Sequence, residues 1–427
     1  MNLVKLSFSY IRKRPLGTLL NVVLLALGIA TIVVLLLFSR QFEDNLTRNA
    51  EGIDLVVGAK GSPLQLILSS IYHMDVPTGN IPVRDARMIM QNRAVRHAIP
   101  LALGDSYRGY RIVGTTPDYA AHYGATVAEG DLWTASLTVV VGARVAREQN
   151  LRVGDEIVSS HGLSAGGDAH GDRPLRVVGV LAETGTVVDR LVLTGIETVW
   201  AVHEEHDDEE HDEDEHDHEE HEEDDHNEGR EGEEEQAGEA AHDEDEDREY
   251  TALLVQYSSP IAAAMFPRFV NSQTNLQAAS PAFETTRLLT LLGVGVDALQ
   301  AFGFILLVAA ALGVFIALYN ALKERRYDLA IMRTLGASRR TLLWHVLLEG
   351  MLLALMGTAL GLLLGHGATE GLGVWIRQAQ QMEISGLTVV LAEAWLIVLA
   401  LGVGAVSALL PAIQAYRTDI ARVLAEG

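Results

Sequence analysis

The chain has 427 residues, of which 48% are hydrophobic and none is cysteine, and its formal net charge at pH 7 is −25. Without cysteine, a disulfide framework, a thiolate zinc site, an iron–sulfur cluster and a cysteine nucleophile are excluded. Most of the negative charge lies in residues 203–249, which contain 29 Asp and Glu, 8 His and 2 Arg. The rest of the chain is almost neutral, so it offers no basic surface of the kind that binds nucleic acid.

Four long apolar stretches predict transmembrane helices. An α-helix rises about 1.5 Å per residue and the hydrocarbon layer is about 30 Å thick, so about 20 apolar residues span it. Buried helices of soluble proteins rarely contain more than about 14 such residues in a row. The first stretch is also too long for a secretory signal. The predicted transmembrane helices are residues 18–38, 298–322, 341–365 and 392–413.

Basic residues orient these helices, because Lys and Arg collect on the cytoplasmic side. Residues 1–17, which we expect to form an interfacial helix on the cytoplasmic leaflet, carry four basic side chains and no acidic one. The connection 323–340 carries six basic and two acidic side chains, whereas the connection 366–391 has one Arg. These counts predict that both termini, including the tail 414–427, and the 323–340 connection are cytoplasmic. Residues 39–297 and the 366–391 loop then lie on the far side of the membrane; the mirror topology is the alternative.

Residues 39–297 are typical of a mixed α+β domain with two lobes, inserted between the first and second transmembrane helices. Short β-rich runs alternate there with Gly-containing turn signals. The predicted strands are residues 53–58, 110–113, 137–141, 156–158, 175–181, 187–194 and 250–257. The predicted helices are residues 63–72, 143–149, 260–271 and 281–300, the last continuing into the membrane as a stalk. The predicted fold class is therefore a membrane α-helical protein of four transmembrane helices with an α+β extracytoplasmic domain.

The sequence lacks the motifs of several enzyme classes. It has no G-x-x-x-x-G-K-[ST], which cradles nucleotide phosphates, no H-E-x-x-H, which binds catalytic zinc, and no G-x-S-x-G nucleophile turn. We therefore expect no catalytic residue in this chain, and no intrinsic cofactor.

Residues 203–249 form a His/Asp/Glu-rich insert that carries too few apolar side chains to bury a core, so it is predicted to be disordered. An acidic linker does not require histidine, and neutral imidazole is a good ligand for Zn²⁺, Ni²⁺ and Cu²⁺. The insert therefore predicts weak binding of several metal ions, zinc first, with a plain solvated linker as the alternative. The candidate metal ligands are His203, His206, His211, His216, His218, His221, His226 and His242.

The cytoplasmic connection carries the most specific motif. Residues 323–341 read KERRYDLAIMRTLGASRRT. They resemble the E-R-x-x-[ED]-[IL]-[AG]-[IV]-x-[RK]-x-[LI]-G-[AM] signature of FtsX/MacB-type permeases, the membrane subunits of mechanotransmission ABC transporters. Residues 411–424 resemble that family's terminal P-A-x-x-A-x-x-x-[DN]-[PI]-x-x-x-L. The layout of one span, a large MacB-like domain and three further spans is also similar to the family.

This resemblance implies a permease homodimer or heterodimer in the bacterial inner membrane, working on a dimer of separate ABC ATPase subunits that bind ATP. It implies that the 323–340 segment is a coupling helix docked on the ATPase. Leucine and methionine recur there at helical spacing and would seat in an apolar groove, with charged residues at its rim. The alternative is an inert basic loop. The expected coupling residues are Glu324, Arg325, Asp328, Leu329, Met332, Arg333, Leu335 and Gly336.

Three further features are candidates for packing or function. Gly357, Gly361 and Gly365 lie on one face of the third transmembrane helix and permit close helix packing. His345 and Glu349 lie one turn apart and would form either a proton relay or a structural contact with the coupling segment. In the outer domain, the loop at residues 73–75 (His-Met-Asp) is either a partner contact or an ordinary turn.

The expected function is a permease that uses ATP hydrolysed by a partner to move its periplasmic domain. Its cargo would be a lipoprotein, a lipid, or a periplasmic peptide or protein, in a process linked to zinc and with a periplasmic or outer-membrane partner. One alternative is a regulatory permease that activates an envelope hydrolase without transport. Another is a membrane-anchored metal sensor or buffer, which would not need a coupling segment.

Overall fold

The computed structural model describes residues 15–162, 173–202, 248–380 and 384–417. These residues divide into two compact units. The outer domain is Asn45–Leu288, and the membrane unit contains the described residues up to Asp44 together with those from Leu289 onward.

The helices and strands of the described residues are as follows. The helices are α1 Pro15–Ala50, α2 Pro63–Ser70, α3 Val83–Met90, α4 Pro117–His122, α5 Ala143–Gln149, α6 Pro260–Gln273, α7 Pro281–Glu324, α8 Arg326–Thr334, α9 Arg339–Gln380 and α10 Ala392–Arg417, and residues 196–202 are also helical. The strands are β1 Leu55–Ala59, β2 Ile81–Pro82, β3 Val95–Tyr107, β4 Tyr110–Thr115, β5 Val127–Gly130, β6 Thr138–Val141, β7 Glu156–Ile157, β8 Ser160–His161, β9 Leu175–Leu181, β10 Val192–Gly195, β11 Glu249–Tyr250, β12 Ala252–Tyr257 and β13 Leu276–Ala279.

Among the described residues, four helices are long and apolar enough to cross a membrane: α1, α7, α9 and α10. Each contains one of the stretches predicted from the sequence, but three of them are much longer than their apolar cores. Helix α9 continues to Gln380 through residues 366–380, which the sequence indicated as a loop. Two of its polar side chains there are paired: Thr369 Oγ1 donates to the Gly365 carbonyl, and the Glu370 carboxylate accepts a hydrogen bond from Gly386 N.

The membrane unit packs α1 against the glycine face of α9. A Cβ atom built on Gly357 would lie 2.6 Å from Leu25 Cδ2, and one on Gly365 would lie 2.7 Å from Val33 Cβ. Gly361 is the position least able to adjust, because its Cβ would also lie 2.8 Å from the Ala26 carbonyl oxygen, a backbone atom. The three glycines therefore allow a contact that any larger residue would obstruct.

Replacing Gly361 by valine should lower the free energy of unfolding of the membrane unit by about 1–3 kcal/mol, because α1 and α9 would have to move apart. Gly367 is a matched control in the same helix, since a Cβ there would meet nothing within 4 Å. Thermal unfolding of the full chain in detergent should show a lower midpoint for Gly361→Val and almost no change for Gly367→Val. Equal midpoints for the two variants would contradict this packing.

The outer domain is built on a mixed sheet. Among the described residues its strand order is β13-β1-β12-β3-β4-β10-β6-β9-β5, with β7 also paired to β9 and β8 to β3, while β11 and β2 form a separate pair. Strand β3 joins the two halves: its beginning pairs with β12, its end pairs with β4, and its register with β4 shifts between Leu103 and Ser106. One apolar core lies around Leu253 and Val255, and a second lies around Val139 and Val177.

Two predicted strands are interrupted. Residues 187–194 begin as a 3-10 turn, Val187–Arg190, before β10. The Asp189 carboxylate folds back and accepts hydrogen bonds from the backbone N–H groups of Thr184 and Gly185. Residues 250–257 divide into β11 and β12 around Thr251, whose hydroxyl accepts a hydrogen bond from Leu103 N. In both places a polar side chain takes part in local bonding that competes with a continuous strand.

Candidate functional site

The segment 323–340, predicted to be cytoplasmic, forms its own short helix, α8, between α7 and α9. Gly336 follows it with φ +100°, a left-handed conformation that favours glycine, and its N–H donates to the Arg333 carbonyl. Ser338 then precedes α9, and its hydroxyl accepts a hydrogen bond from Thr341 N at 3.2 Å. These two local signals separate α8 from α9.

One face of α8 packs inside the membrane unit. Leu329 is 4% exposed and lies in a cluster with Leu322, Leu342, Val346 and Ala412. Met332 is partly buried against the same cluster. Both side chains therefore contact the chain's own membrane unit, and their expected role in docking on an ATPase stays a prediction. Helical spacing identified them as apolar contact residues but did not identify their partner.

The opposite face of α8 is apolar and exposed in the part of the chain that the structure describes. Tyr327, Ile331 and Leu335 are spaced by four residues and are 52%, 37% and 83% exposed. We call these three residues the α8 stripe. Of the three, only Leu335 is among the expected coupling residues, although the same four-residue spacing is visible in the sequence. Of the other expected coupling residues, Glu324 and Asp328 are exposed.

An ion pair ties the start of α8 to α9. Arg325 Nη1 lies 3.2 Å from Glu349 Oε1 and 3.3 Å from Oε2, and both side chains are largely buried. They line a small cavity with His345 and Leu329. Of the two sequence hypotheses for Glu349, the geometry favours the structural contact with the coupling segment, because its carboxylate is already held by Arg325.

In the outer domain, the loop at residues 73–75 follows α2 and is bonded on several sides. His73 is buried with φ +51°, and its Nε2 lies 2.9 Å from the Tyr119 hydroxyl. The Tyr72 hydroxyl donates to the Leu46 carbonyl at 3.1 Å. Arg111 donates to the Asp75 carbonyl at 2.8 Å. These hydrogen bonds connect Tyr72 and the loop to α1, α4 and β4 within the domain. Neither a partner-contact loop nor an ordinary turn would require them.

Burial lowers the pKa of His73 well below its ordinary value, and the positive charges of Arg111 and Arg190 lower it further. Folding therefore keeps His73 neutral, while the unfolded chain binds a proton below about pH 6.5. Stability contributed by His73 is thus complete above that pH and is lost as the pH falls, by at most about 1.4 kcal/mol per pH unit.

This predicts that a His73→Asn variant, whose side chain tolerates the left-handed conformation, loses less stability between pH 7.5 and pH 5.5 than the unchanged chain. Thermal unfolding of the full chain at the two pH values measures the difference. His97→Asn is the control, since His97 is partly exposed on the same domain beside Asp118. Identical pH dependence in the His73 variant and the unchanged chain would contradict the assignment.

Several sequence predictions lie outside the described residues. They are the eight histidines of the insert, most of the interfacial helix 1–17 and the end of the 411–424 motif. Within the ranges that the structure describes, no group of three or more His, Asp or Glu side chains is arranged to hold a metal ion. Metal binding by the insert therefore stays a prediction.

Two protein-family models match the chain. One, described as FtsX-like permease C-terminal, matches residues 301–420, and the other, described as MacB-like periplasmic core domain, matches residues 18–215. The chain belongs to the FtsX/MacB-type ABC transporter permeases. The resemblance seen in residues 323–341 and the predicted fold class are thereby confirmed. The permease is a multi-pass protein of the inner membrane, and its outer domain is periplasmic.

The permease is also similar to individual proteins. It is 36% identical over 128 residues to an uncharacterized ABC transporter permease protein of Mycobacterium tuberculosis, a match that spans 28% of the permease and only 15% of that relative. The periplasmic region of MacB from Actinobacillus actinomycetemcomitans shares 12% identity, with 57% of the permease and 97% of that chain covered and a TM-score of 0.32. The extracellular domain of the noncanonic ABC-type transporter YknZ from Gram-positive bacteria shares 12%, with 53% and 99% covered and a TM-score of 0.30.

Proposed function

We propose that the permease couples ATP hydrolysis by a separate ABC ATPase dimer to movement of its periplasmic domain, and that the ATPase binds the α8 stripe. Membership of an ABC permease family implies an ABC ATPase partner. The observation that carries the choice of site is the exposed apolar face of α8, on the cytoplasmic side of the membrane. A short helix with such a face is suited to an apolar groove of another protein.

The buried face of α8 supports a role in transmitting movement to the rest of the membrane unit. A movement imposed on the α8 stripe would pass to α9 through the Arg325–Glu349 ion pair and through the cluster around Leu329. Because packed interiors deform little, such a contact transmits displacement rather than absorbing it. Helices α1 and α7 each continue without interruption from the residues of the membrane unit into those of the outer domain. They are our candidates for the levers that carry the movement outward.

The cargo is proposed only as a class: a lipoprotein, a lipid, or a periplasmic peptide or protein, handled by a permease homodimer or heterodimer. A regulatory permease that activates an envelope hydrolase would use the same coupling parts, so the two functions share this mechanism. A zinc link depends on the insert and is kept as a separate proposal.

The test is co-purification of the ATPase with the full permease in detergent, combined with the ATPase rate of the complex. The triple variant Tyr327→Asp, Ile331→Asp, Leu335→Asp should lose most of the bound ATPase. The matched control is Ile261→Asp, Met265→Asp, Phe269→Asp, because these residues form an exposed apolar stripe with the same spacing on α6 in the periplasmic domain. Full retention of the ATPase by the α8 variant would refute the proposed site.

A further inference from the structure

The connection between α9 and α10 exposes apolar side chains to an unusual degree. We call residues 384–391 the outer connection. Leu387, Val389 and Leu391 are 84%, 81% and 84% exposed, and Trp395 in the first turn of α10 is 74% exposed. Connections in water usually present polar side chains, so this surface calls for an apolar partner.

Side chains of α1 and α9 form hydrogen bonds with the backbone of the outer connection. Gln41 of α1 makes two hydrogen bonds with Ser385, from Nε2 to the carbonyl at 2.9 Å and from the Ser385 N–H to Oε1 at 2.8 Å. Gly386 N donates to Glu370 Oε2 at 2.7 Å, and the Gly386 carbonyl accepts from His366 Nδ1 at 2.6 Å. If the connection lay in water, water molecules would hydrogen-bond to these backbone N–H and carbonyl groups, and no side chain would be needed.

A buried carboxylate completes this arrangement. Glu393 Oε1 accepts a hydrogen bond from Val390 N at 3.0 Å, and Oε2 lies 3.1 Å from His366 Nε2. Glu393 is itself buried. These bonded polar atoms therefore point into the membrane unit, as does the buried side chain of Ile384, whereas Leu387, Val389 and Leu391 point away from it. Backbone outside a helix tolerates hydrocarbon only when its polar groups are satisfied internally. The bonds described here satisfy the N–H and carbonyl groups of Ser385 and Gly386 and the N–H of Val390 in this way.

The position of the outer connection along the helices places it at the membrane surface. Gln41 follows the first apolar stretch by three residues, and His366 directly follows the stretch 341–365. Leu391 directly precedes α10, whose exposed apolar face includes Trp395 and Val398. That face of a transmembrane helix is covered by lipid, and tryptophan is enriched where acyl chains meet headgroups. The outer connection continues the same surface.

We infer that the outer connection lies in the interfacial layer of the outer leaflet, with Leu387, Val389 and Leu391 in contact with lipid acyl chains. The inference does not depend on the proposed docking site on α8. The occupant is lipid rather than protein because the surface is continuous with the lipid-covered face of α10, and because the backbone groups of Ser385 and Gly386 are already bonded within the membrane unit.

Because the chain contains no cysteine, single-cysteine variants can be spin-labelled without background. Leu387→Cys, Val389→Cys and Leu391→Cys in the full permease would each be labelled and reconstituted in phosphatidylcholine–phosphatidylglycerol vesicles. Accessibility to oxygen, which concentrates in lipid, is compared with accessibility to a water-soluble nickel chelate. Leu399→Cys in α10 is the lipid-facing reference, and Ser272→Cys in α6 is the water-facing reference.

The inference predicts an oxygen-to-nickel ratio at residues 387, 389 and 391 that is several-fold higher than at residue 272 and close to that at residue 399. A ratio like that of residue 272 would overturn it, because the connection would then lie in water. Shielding from both reagents would also overturn it, since a protein surface, such as a second copy of the permease, would then cover these side chains. The three positions are independent variants, so one that fails to elute as a single species leaves the other two to decide.

Discussion

Replacing Leu329 by aspartate should unfold the cytoplasmic end of the membrane unit, whereas replacing Ile331 by aspartate should leave it folded and uncouple it from the ATPase. Leu329 is buried in the cluster that joins α8 to α9 and α10, so the substitution removes an apolar contact and buries a carboxylate. The expected loss is at least about 3–5 kcal/mol of unfolding free energy. Ile331 belongs to the α8 stripe, so its replacement costs little stability in the isolated permease.

Two measurements on each variant separate these effects. Thermal unfolding of the full permease in detergent should show a large drop for Leu329→Asp and almost none for Ile331→Asp. The ATPase rate of the reconstituted complex should fall for Ile331→Asp although the permease remains folded. A normal ATPase rate in the Ile331 variant, or equal destabilisation of the two variants, would show that the packing face and the ATPase-binding face of α8 are assigned wrongly.

Breaking the Arg325–Glu349 pair should have the second large effect. Arg325→Ala leaves the Glu349 carboxylate largely buried without its cation, and removing one partner of a buried ion pair typically costs about 3–5 kcal/mol. The double variant Arg325→Met, Glu349→Leu removes both charges and should recover most of the stability, because apolar replacement of a whole buried pair is often neutral. If the pair also holds α8 in its coupling position, the stable double variant should still have a reduced ATPase response.

The control is an exposed pair in the same unit. Arg40 and Glu43 are three residues apart on α1, with Arg40 Nη1 3.5 Å from Glu43 Oε2, and both side chains are at least half exposed. Arg40→Ala should therefore change the unfolding free energy by less than about 1 kcal/mol. A similar small effect of Arg325→Ala would show that the Arg325–Glu349 contact is not a structural link. Thermal unfolding of the full permease in detergent measures both variants under the same conditions.

The sequence predicts the features that depend on local composition. The four apolar stretches, the coupling segment and helix α5 are each determined by residues that are neighbours in the chain. Strand β3 was not predicted, since Pro100 and Gly104 within it are typical strand breakers. That strand forms because it has partners on both sides: β4, which follows it directly in the chain, and β12, which comes from a distant part of the chain.

The direction in which a side chain points could not be predicted where apolar residues occur on two faces of one helix. Leu329 and Ile331 are two residues apart, and only tertiary packing determines which of them is buried. The same limit applies to His73, whose bonding partner Tyr119 lies 46 positions further along the chain. The outer connection was predicted as part of a longer loop, because nothing near it in sequence indicates the bonds of Ser385 to Gln41 and of Gly386 to Glu370.

The central claim, that the ATPase acts on the permease through α8, is tested most directly by site-specific photo-cross-linking. A photoreactive residue is placed at position 335 of the full permease, at position 329 as a buried control, and at position 272 as a periplasmic control. With the ATPase subunit present, position 335 should form an adduct with it in high yield, and the two control positions should form none. Absence of an adduct at 335 in a complex that still hydrolyses ATP, or an adduct at 329 instead, would contradict the account.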